Sequence, residues 1–177
     1  MGIGKMKRAV FLDRDGVINK ILVRHGRPST PRRFDEFEWV EGIGEEVRRI
    51  KDAGFHVFVI TNQPDVARGI LPFEELEKMS AAIRSHLPVD EVWVCPHDDD
   101  AQCDCRKPKS GMVQRAREKY AIDIAESYMI GDGWKDMELA RNVGCAGILI
   151  NAPYNQGLDC FARARNIHEA VDLILSA

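Results

Sequence analysis

Asp13 and Asp15 stand one residue apart directly after the short apolar run Ala9-Val10-Phe11-Leu12, and Asp132 closely follows a second such run, Tyr128-Met129-Ile130. If both runs are strands of one sheet, the three carboxylates share a rim. Carboxylates that close cannot all stay ionised without a cation. A hard divalent ion with oxygen ligands, Mg2+ beside a phosphate, meets that need. An aspartate neutralised in this way can attack phosphorus and form an aspartyl phosphate. A second aspartate two residues on can protonate the leaving oxygen and later activate water. The equatorial phosphoryl oxygens then need a lysine and a hydroxyl to hold them as charge shifts, and Lys107 and Thr61 are of the right types. Asp-x-Asp-Gly is also common in turns, so the pair alone is weak evidence. The chemistry is read from the pair together with Thr61, Lys107 and Asp132.

A second constellation is Cys95, His97, Cys103 and Cys105, spaced C-x-H-x5-C-x-C. Three thiolates and an imidazole form a tetrahedral Zn2+ set, with every position filled by protein and none left for a reacting water. The zinc would therefore be structural. It would fold a loop rich in acid (Asp98, Asp99, Asp100) and set the position of Arg106 and Lys107, which directly follow the last ligand. The bland alternative is a loop of reduced cysteines with a solvated histidine. Five cysteines is an odd number, and in a reducing compartment this grouping reads as a metal site before it reads as a disulfide framework. Cys145 and Cys160 read as ordinary small residues, and Trp39, Trp93 and His56 as packing.

The elements that must position these groups follow from periodicity. Short β-rich runs at 9–12, 56–60, 91–95, 128–130 and 146–150 read as strands. Helical spacing marks 45–53, stopped by Gly54; 72–87, with Pro72 in the first turn; 111–120; 136–143, ended by Gly144; and 166–175, with Asn166 and Glu169 in a capping-box arrangement. The alternation predicts an α/β fold, a Rossmann-like parallel sheet flanked by helices. Ligands bind outside the carboxyl ends of such strands. Segments 19–39, basic with two prolines, and 96–110, with the cysteine cluster, read as loops.

At 177 residues the chain is expected to be a single domain over 1–177, with a zinc loop at 95–105 and no large cap domain. Its 25 basic and 28 acidic residues leave a net charge of −3, which does not suggest a nucleic-acid or membrane partner. No apolar run approaches the roughly 20 residues of a membrane span. The start Met1-Gly2 lacks a myristoylation pattern, and the stretch after Met1 to Arg8 is too short for a signal peptide. A cytoplasmic monomer is the expectation.

Taken in order, Phe11-Leu12-Asp13-Arg14-Asp15-Gly16-Val17-Ile18-Asn19, Thr61-Asn62-Gln63, Lys107-Pro108, and Gly131-Asp132 with Asp136 resemble the four motifs of the haloacid dehalogenase superfamily over nearly the whole chain. Within it the chain resembles the branch of histidinol-phosphate and D-glycero-D-manno-heptose 1,7-bisphosphate phosphatases, which carries the same Asp-Arg-Asp-Gly opening, Thr-Asn-Gln turn and Cys-x-His…Cys-x-Cys-Arg-Lys-Pro block. The resemblance implies Asp13 as nucleophile and Mg2+ ligand. It implies Asp15 as general acid/base with its backbone carbonyl on the metal, Thr61 and Lys107 on the phosphoryl group, and Asp132 completing the metal site. Arg106 would contact the substrate, with Asn62, Gln63, Arg24, Arg68 and Asp136 as further candidates; Asp136 would otherwise sit behind the metal or bond a neighbouring loop. The substrate would be a small phosphorylated metabolite, first a heptose 1,7-bisphosphate losing its 7-phosphate. Histidinol phosphate or another sugar phosphate is the alternative, and a zinc-stabilised binding module the non-enzymatic one. Three features depart from the heptose enzymes: Pro64-Asp65-Val66-Ala67-Arg68-Gly69 after Thr-Asn-Gln, Gly133 where a lysine often follows the fourth-motif aspartate (Lys135 stands two further on), and a short zinc loop. These put the substrate, not the chemistry, in doubt. Arg24, Arg27, Arg32 and Arg33 are of the type to bind a second phosphate, or simply form a solvated basic loop.

Overall fold

The computed structural model describes residues 6–177. The reading of Met1-Gly2, and most of the basic start, lie outside the described residues. Strands β1 (Ala9–Leu12), β4 (His56–Asn62), β5 (Glu91–Cys95), β6 (Tyr128–Gly131), β7 (Ala146–Ile150) and β8 (Ala162–Ala164) form one sheet in the order β5-β4-β1-β6-β7-β8, and every pairing is parallel. The two further strands, β2 (Leu22–Arg24) and β3 (Arg27–Ser29), make a separate hairpin. The helices are α1 (Ile43–Asp52), α2 (Phe73–His86), α3 (Gly111–Tyr120), α4 (Trp134–Val143) and α5 (Ile167–Leu175).

Alternation along the strands builds the layers. Val10 and Leu12 of β1, Val57 and Val59 of β4, and Ile130 of β6 pack with Val47 and Ile50 of α1 and Val171 and Ile174 of α5. Ala9, Phe11, Phe58, Ile60 and Met129 turn to the other face, against Met112, Val113 and Ala116 of α3 and Leu139 and Ala140 of α4. Both faces are covered, so the central strands are apolar without a break: all four residues of β1 are buried. The chain leaves β1 toward β4 and β5 on one side and returns to β6 on the other. The strand order therefore reverses beside β1, where an open α/β sheet places its ligand. No helix among the described residues is long and apolar enough to cross a membrane.

Segment 19–39 departs from the expected loop. It carries β2, β3 and a 3-10 turn at Phe34–Glu36. The hairpin turns at His25 and Gly26, both at positive φ (50° and 72°), and neither of its strands alternates strongly enough in hydrophobicity to be seen beforehand. β8 is a further strand that hydrophobic periodicity does not mark; it is three residues long and joins the sheet only through β7. Pro72 lies at the N-cap of α2, not in its first turn, with an extended backbone. α1 and α4 each begin two residues before the expected start, at Ile43 and Trp134. Asn166 caps α5 by accepting from the Glu169 N–H at 3.0 Å, while the Glu169 carboxylate turns back one residue further, to the Arg165 N–H.

Candidate active site and metal centre

The rim beyond the carboxyl ends of β1, β4 and β6 gathers the expected groups. Asp13 follows β1 directly, and its N–H donates to Ile130 O at 2.9 Å, which holds it beside the end of β6. Asp13, Asp132 and Asp136 each offer an oxygen within 4.8 Å of the others. Lys107 is buried among them, with Nζ 2.8 Å from Asp13 Oδ1 and 2.7 Å from Asp136 Oδ1. A cavity of about 240 Å3 opens here, lined by Asp13, Asp15, Asn62, Lys107, Asp132 and Trp134, and by Ile21 and Thr30 from the hairpin segment.

Burial raises the Asp13 carboxyl well above the usual carboxylate range; Asp136 adds to this and Lys107 works against it. Asp132 is likewise pushed up to about 6, first by burial and then by Asp136. Lys107, flanked by two carboxylates, is held above its ordinary value despite its burial. One ammonium among so many buried carboxylates leaves the rim short of positive charge, and its donors are all oxygens. That set fits a hard divalent cation. Asp13 and Asp132 would hold it, because Asp136 is committed elsewhere: its Oδ1 accepts from Lys107 and its Oδ2 from the Gly133 N–H at 3.1 Å.

The structure separates the remaining candidates by what they already bond. The Asp15 carboxylate accepts from Arg14, from Asn19 Nδ2 at 3.0 Å and from Gln63 Nε2 at 2.7 Å. Gln63, only 1% exposed, also donates to Thr61 Oγ1 at 2.9 Å. The resemblance implies a substrate contact for Gln63; in the structure it ties the acid/base candidate to the hydroxyl candidate. Asn62 lines the cavity and clasps the Lys107 backbone, donating to its carbonyl at 2.9 Å and accepting from its N–H at 3.0 Å. Arg24 is not free for a second phosphate: it donates to Ser29, Thr30 O and Glu36, which fasten the hairpin to the 3-10 turn. Arg68 grips Asp98 through two bonds of 2.6 Å, linking the segment after β4 to the zinc loop. Arg106 and Lys135 converge on Asp99 Oδ1 at 2.8 and 2.9 Å, and the hydrogen bonds donated by Lys135 first and then Arg106 hold the Asp99 carboxyl down at about 2.

The cysteine cluster assembles as its spacing predicts. Cys95 Sγ lies 3.8 Å from Cys103 Sγ and 3.5 Å from His97 Nδ1, and Cys105 Sγ lies 3.3 Å from the same nitrogen. A tetrahedral ion with bonds of about 2.3 Å to sulfur and about 2.0 Å to nitrogen separates its ligands by about 3.8 Å and about 3.5 Å. The donor set therefore fits Zn2+. Burial pushes the Cys145 thiol up to about 12, in keeping with an inert packing role.

Residues to which the sequence assigns no role of their own complete the site. Arg14, between the two aspartates, is 1% exposed and pairs with Asp15 at 2.9 Å; its place inside the Asp-Arg-Asp-Gly motif was its signal. Tyr154 and Asn155 both reach Asp132, and nothing in their local sequence marks them.

A parallel sheet whose strand ends carry these four segments in this order defines the haloacid dehalogenase-like phosphatases. The HAD-hydrolase-like family model matches residues 104–166. The chain is 35% identical over 150 residues to a D-glycero-beta-D-manno-heptose-1,7-bisphosphate 7-phosphatase of Haemophilus ducreyi, covering 78% of this chain and 79% of that one. It is 38% identical over 157 residues to the enzyme of that name from Escherichia coli K12, covering 80% and 78%. The crystal structure of a D,D-heptose 1,7-bisphosphate phosphatase from B. bronchiseptica, complexed with magnesium and phosphate, superposes with a TM-score of 0.78 at 27% identity over 96% of this chain and 98% of that one. The chain belongs to the family of these heptose bisphosphate phosphatases and is a phosphoric monoester hydrolase.

Proposed function

We propose that this chain is a single-domain, Mg2+-dependent phosphatase, a cytoplasmic monomer, that removes the 7-phosphate of D-glycero-D-manno-heptose 1,7-bisphosphate. The observation that carries the reading is the buried Asp13–Lys107–Asp136 arrangement, with Asp132 beside it and the cavity opening onto Asp13. Mg2+ bound by Asp13 and Asp132 would neutralise both the nucleophile and the phosphoryl oxygens. Asp13 attacks phosphorus, and the leaving oxygen departs with a proton from Asp15. Asp15 must leave Arg14, Asn19 and Gln63 to deliver that proton, then takes one from the water that hydrolyses the aspartyl phosphate. Lys107 and Thr61 hold the equatorial oxygens. The distal phosphate would take the place of Asp99 between Arg106 and Lys135, whose spacing on one oxygen already suits an anion. Zn2+ on Cys95, His97, Cys103 and Cys105 would keep Arg106 and Lys107 in place.

The test is phosphate release with Mg2+ across both anomers of heptose 1,7-bisphosphate, fructose 1,6-bisphosphate, histidinol phosphate and hexose phosphates. A heptose bisphosphate is expected to lead by more than about tenfold in kcat/KM, roughly 1.4 kcal/mol of discrimination. A lead for histidinol phosphate would replace the substrate and leave the chemistry. Asp13→Asn is expected to release no phosphate above background, and wild-type turnover in that variant would sink the mechanism.

A further inference from the structure

Two consecutive residues of the loop between β7 and β8 hold Asp132. The Tyr154 hydroxyl donates to Asp132 Oδ2. The Asn155 side-chain amide, on a residue only 2% exposed, donates to the Asp132 carbonyl at 2.8 Å and to Ile150 O, the end of β7, also at 2.8 Å. Asn155 Oδ1 in turn accepts from the Ala152 N–H at 3.0 Å, so its orientation is determined from both ends of the amide. Arg163 of β8 reaches back to the carbonyls of Asn155, Gln156 and Leu158. The loop is therefore a braced support rather than a free connection. Tyr154 itself is 45% exposed, yet its hydroxyl is turned inward onto the carboxylate.

We infer that Tyr154 is a positioning residue for the catalytic metal, with Asn155 fixing the backbone beneath it. Asp132 has two carboxylate oxygens, and a donor on Oδ2 leaves the other one for a cation. Mg2+ demands near-ideal octahedral geometry, so a ligand swinging about its side-chain torsions costs affinity that a ligand held by an outer hydrogen bond does not. Gly16 makes the same point at the same oxygen: a Cβ there would run into Asp132 Oδ2, so Asp132 sits against the Gly16 backbone and under the Tyr154 hydroxyl. This inference rests on the reading above that a divalent cation sits on Asp13 and Asp132.

The experiment is calorimetric titration of MgCl2 into the full chain and its Tyr154→Phe variant, with the thermal midpoint of each recorded. Tyr154→Phe removes one hydroxyl and keeps the ring, so the fold is expected to stand. The expected result is a Kd for Mg2+ about tenfold or more weaker, an unchanged midpoint, and kcat recovered at saturating Mg2+. Equal Mg2+ affinity in the two proteins overturns the inference and leaves the proposed function standing. A lower affinity accompanied by a lowered midpoint also overturns it, since the hydroxyl would then be part of the fold. A wild-type chain that binds no Mg2+ overturns the proposed function, and the inference with it.

Discussion

Asp13, the proposed nucleophile, takes its character from its neighbours. Buried carboxylates surround it, a buried lysine joins it to Asp136, and the remaining negative charge calls for a cation. Gly16 belongs to the same device. Its φ is +84°, where a side chain is strained, and any Cβ would overlap the Asp132 carboxylate. Gly16→Ala is therefore expected to displace Asp132, lower kcat/KM for phosphate release by at least about tenfold, and cost roughly 1–3 kcal/mol of stability. Steady-state kinetics and urea denaturation check both. A variant as active as the parent would show that Asp132 tolerates the displacement.

Lys107 is positioned by several elements at once. Its backbone is clasped by Asn62 at the end of β4, and it lies two residues beyond Cys105, whose cluster partner Cys95 ends β5. The proposed zinc thus ties the loop before α3 to the sheet. Cys105→Ser is expected to lower bound zinc, measured by atomic emission, and to reduce turnover, because an error of about 1 Å in a reacting group costs on the order of a hundredfold. Full turnover in a zinc-free variant would remove zinc from any positioning role. Arg24 shows why an element cannot be judged by composition: in a basic segment that reads either as an anion site or as a solvated loop, this arginine is spent on Glu36 and its own hairpin.

At the scale of the whole molecule, the last helix is fastened to the first. His168 of α5 lies 2.8 Å from Glu46 of α1 and 3.4 Å from Asp172, while Arg49 of α1 bonds both Glu46 and Asp172. Glu46 first, and then Asp172, raise the His168 imidazole above its ordinary value near 6.5. A raised histidine stabilises the fold fully below its unfolded value, and the stabilisation is lost as pH climbs through the folded one. Urea midpoints of the parent are expected to fall between pH 6 and pH 8 more steeply than those of His168→Gln. Parallel curves would show that the contact carries no stability.

The sequence by itself determined the parallel α/β class, nearly every element of the main sheet, and which residues stand at its strand ends. These depend on local properties: apolar runs, helical spacing, and catalytic types at fixed offsets from them. The cysteine cluster was legible for the same reason, since its ligands fall within one short segment. What only the tertiary structure decided is which polar group meets which. Asp136, not the Asp15 side chain, joins Asp13 and Asp132. Gln63 faces Asp15 rather than the cavity, the hairpin lines that cavity through Ile21 and Thr30, and Tyr154 with Asn155 comes from a distant loop to hold Asp132. Such pairings depend on strand order and on the approach of segments remote in the chain, which hydrophobic periodicity does not encode.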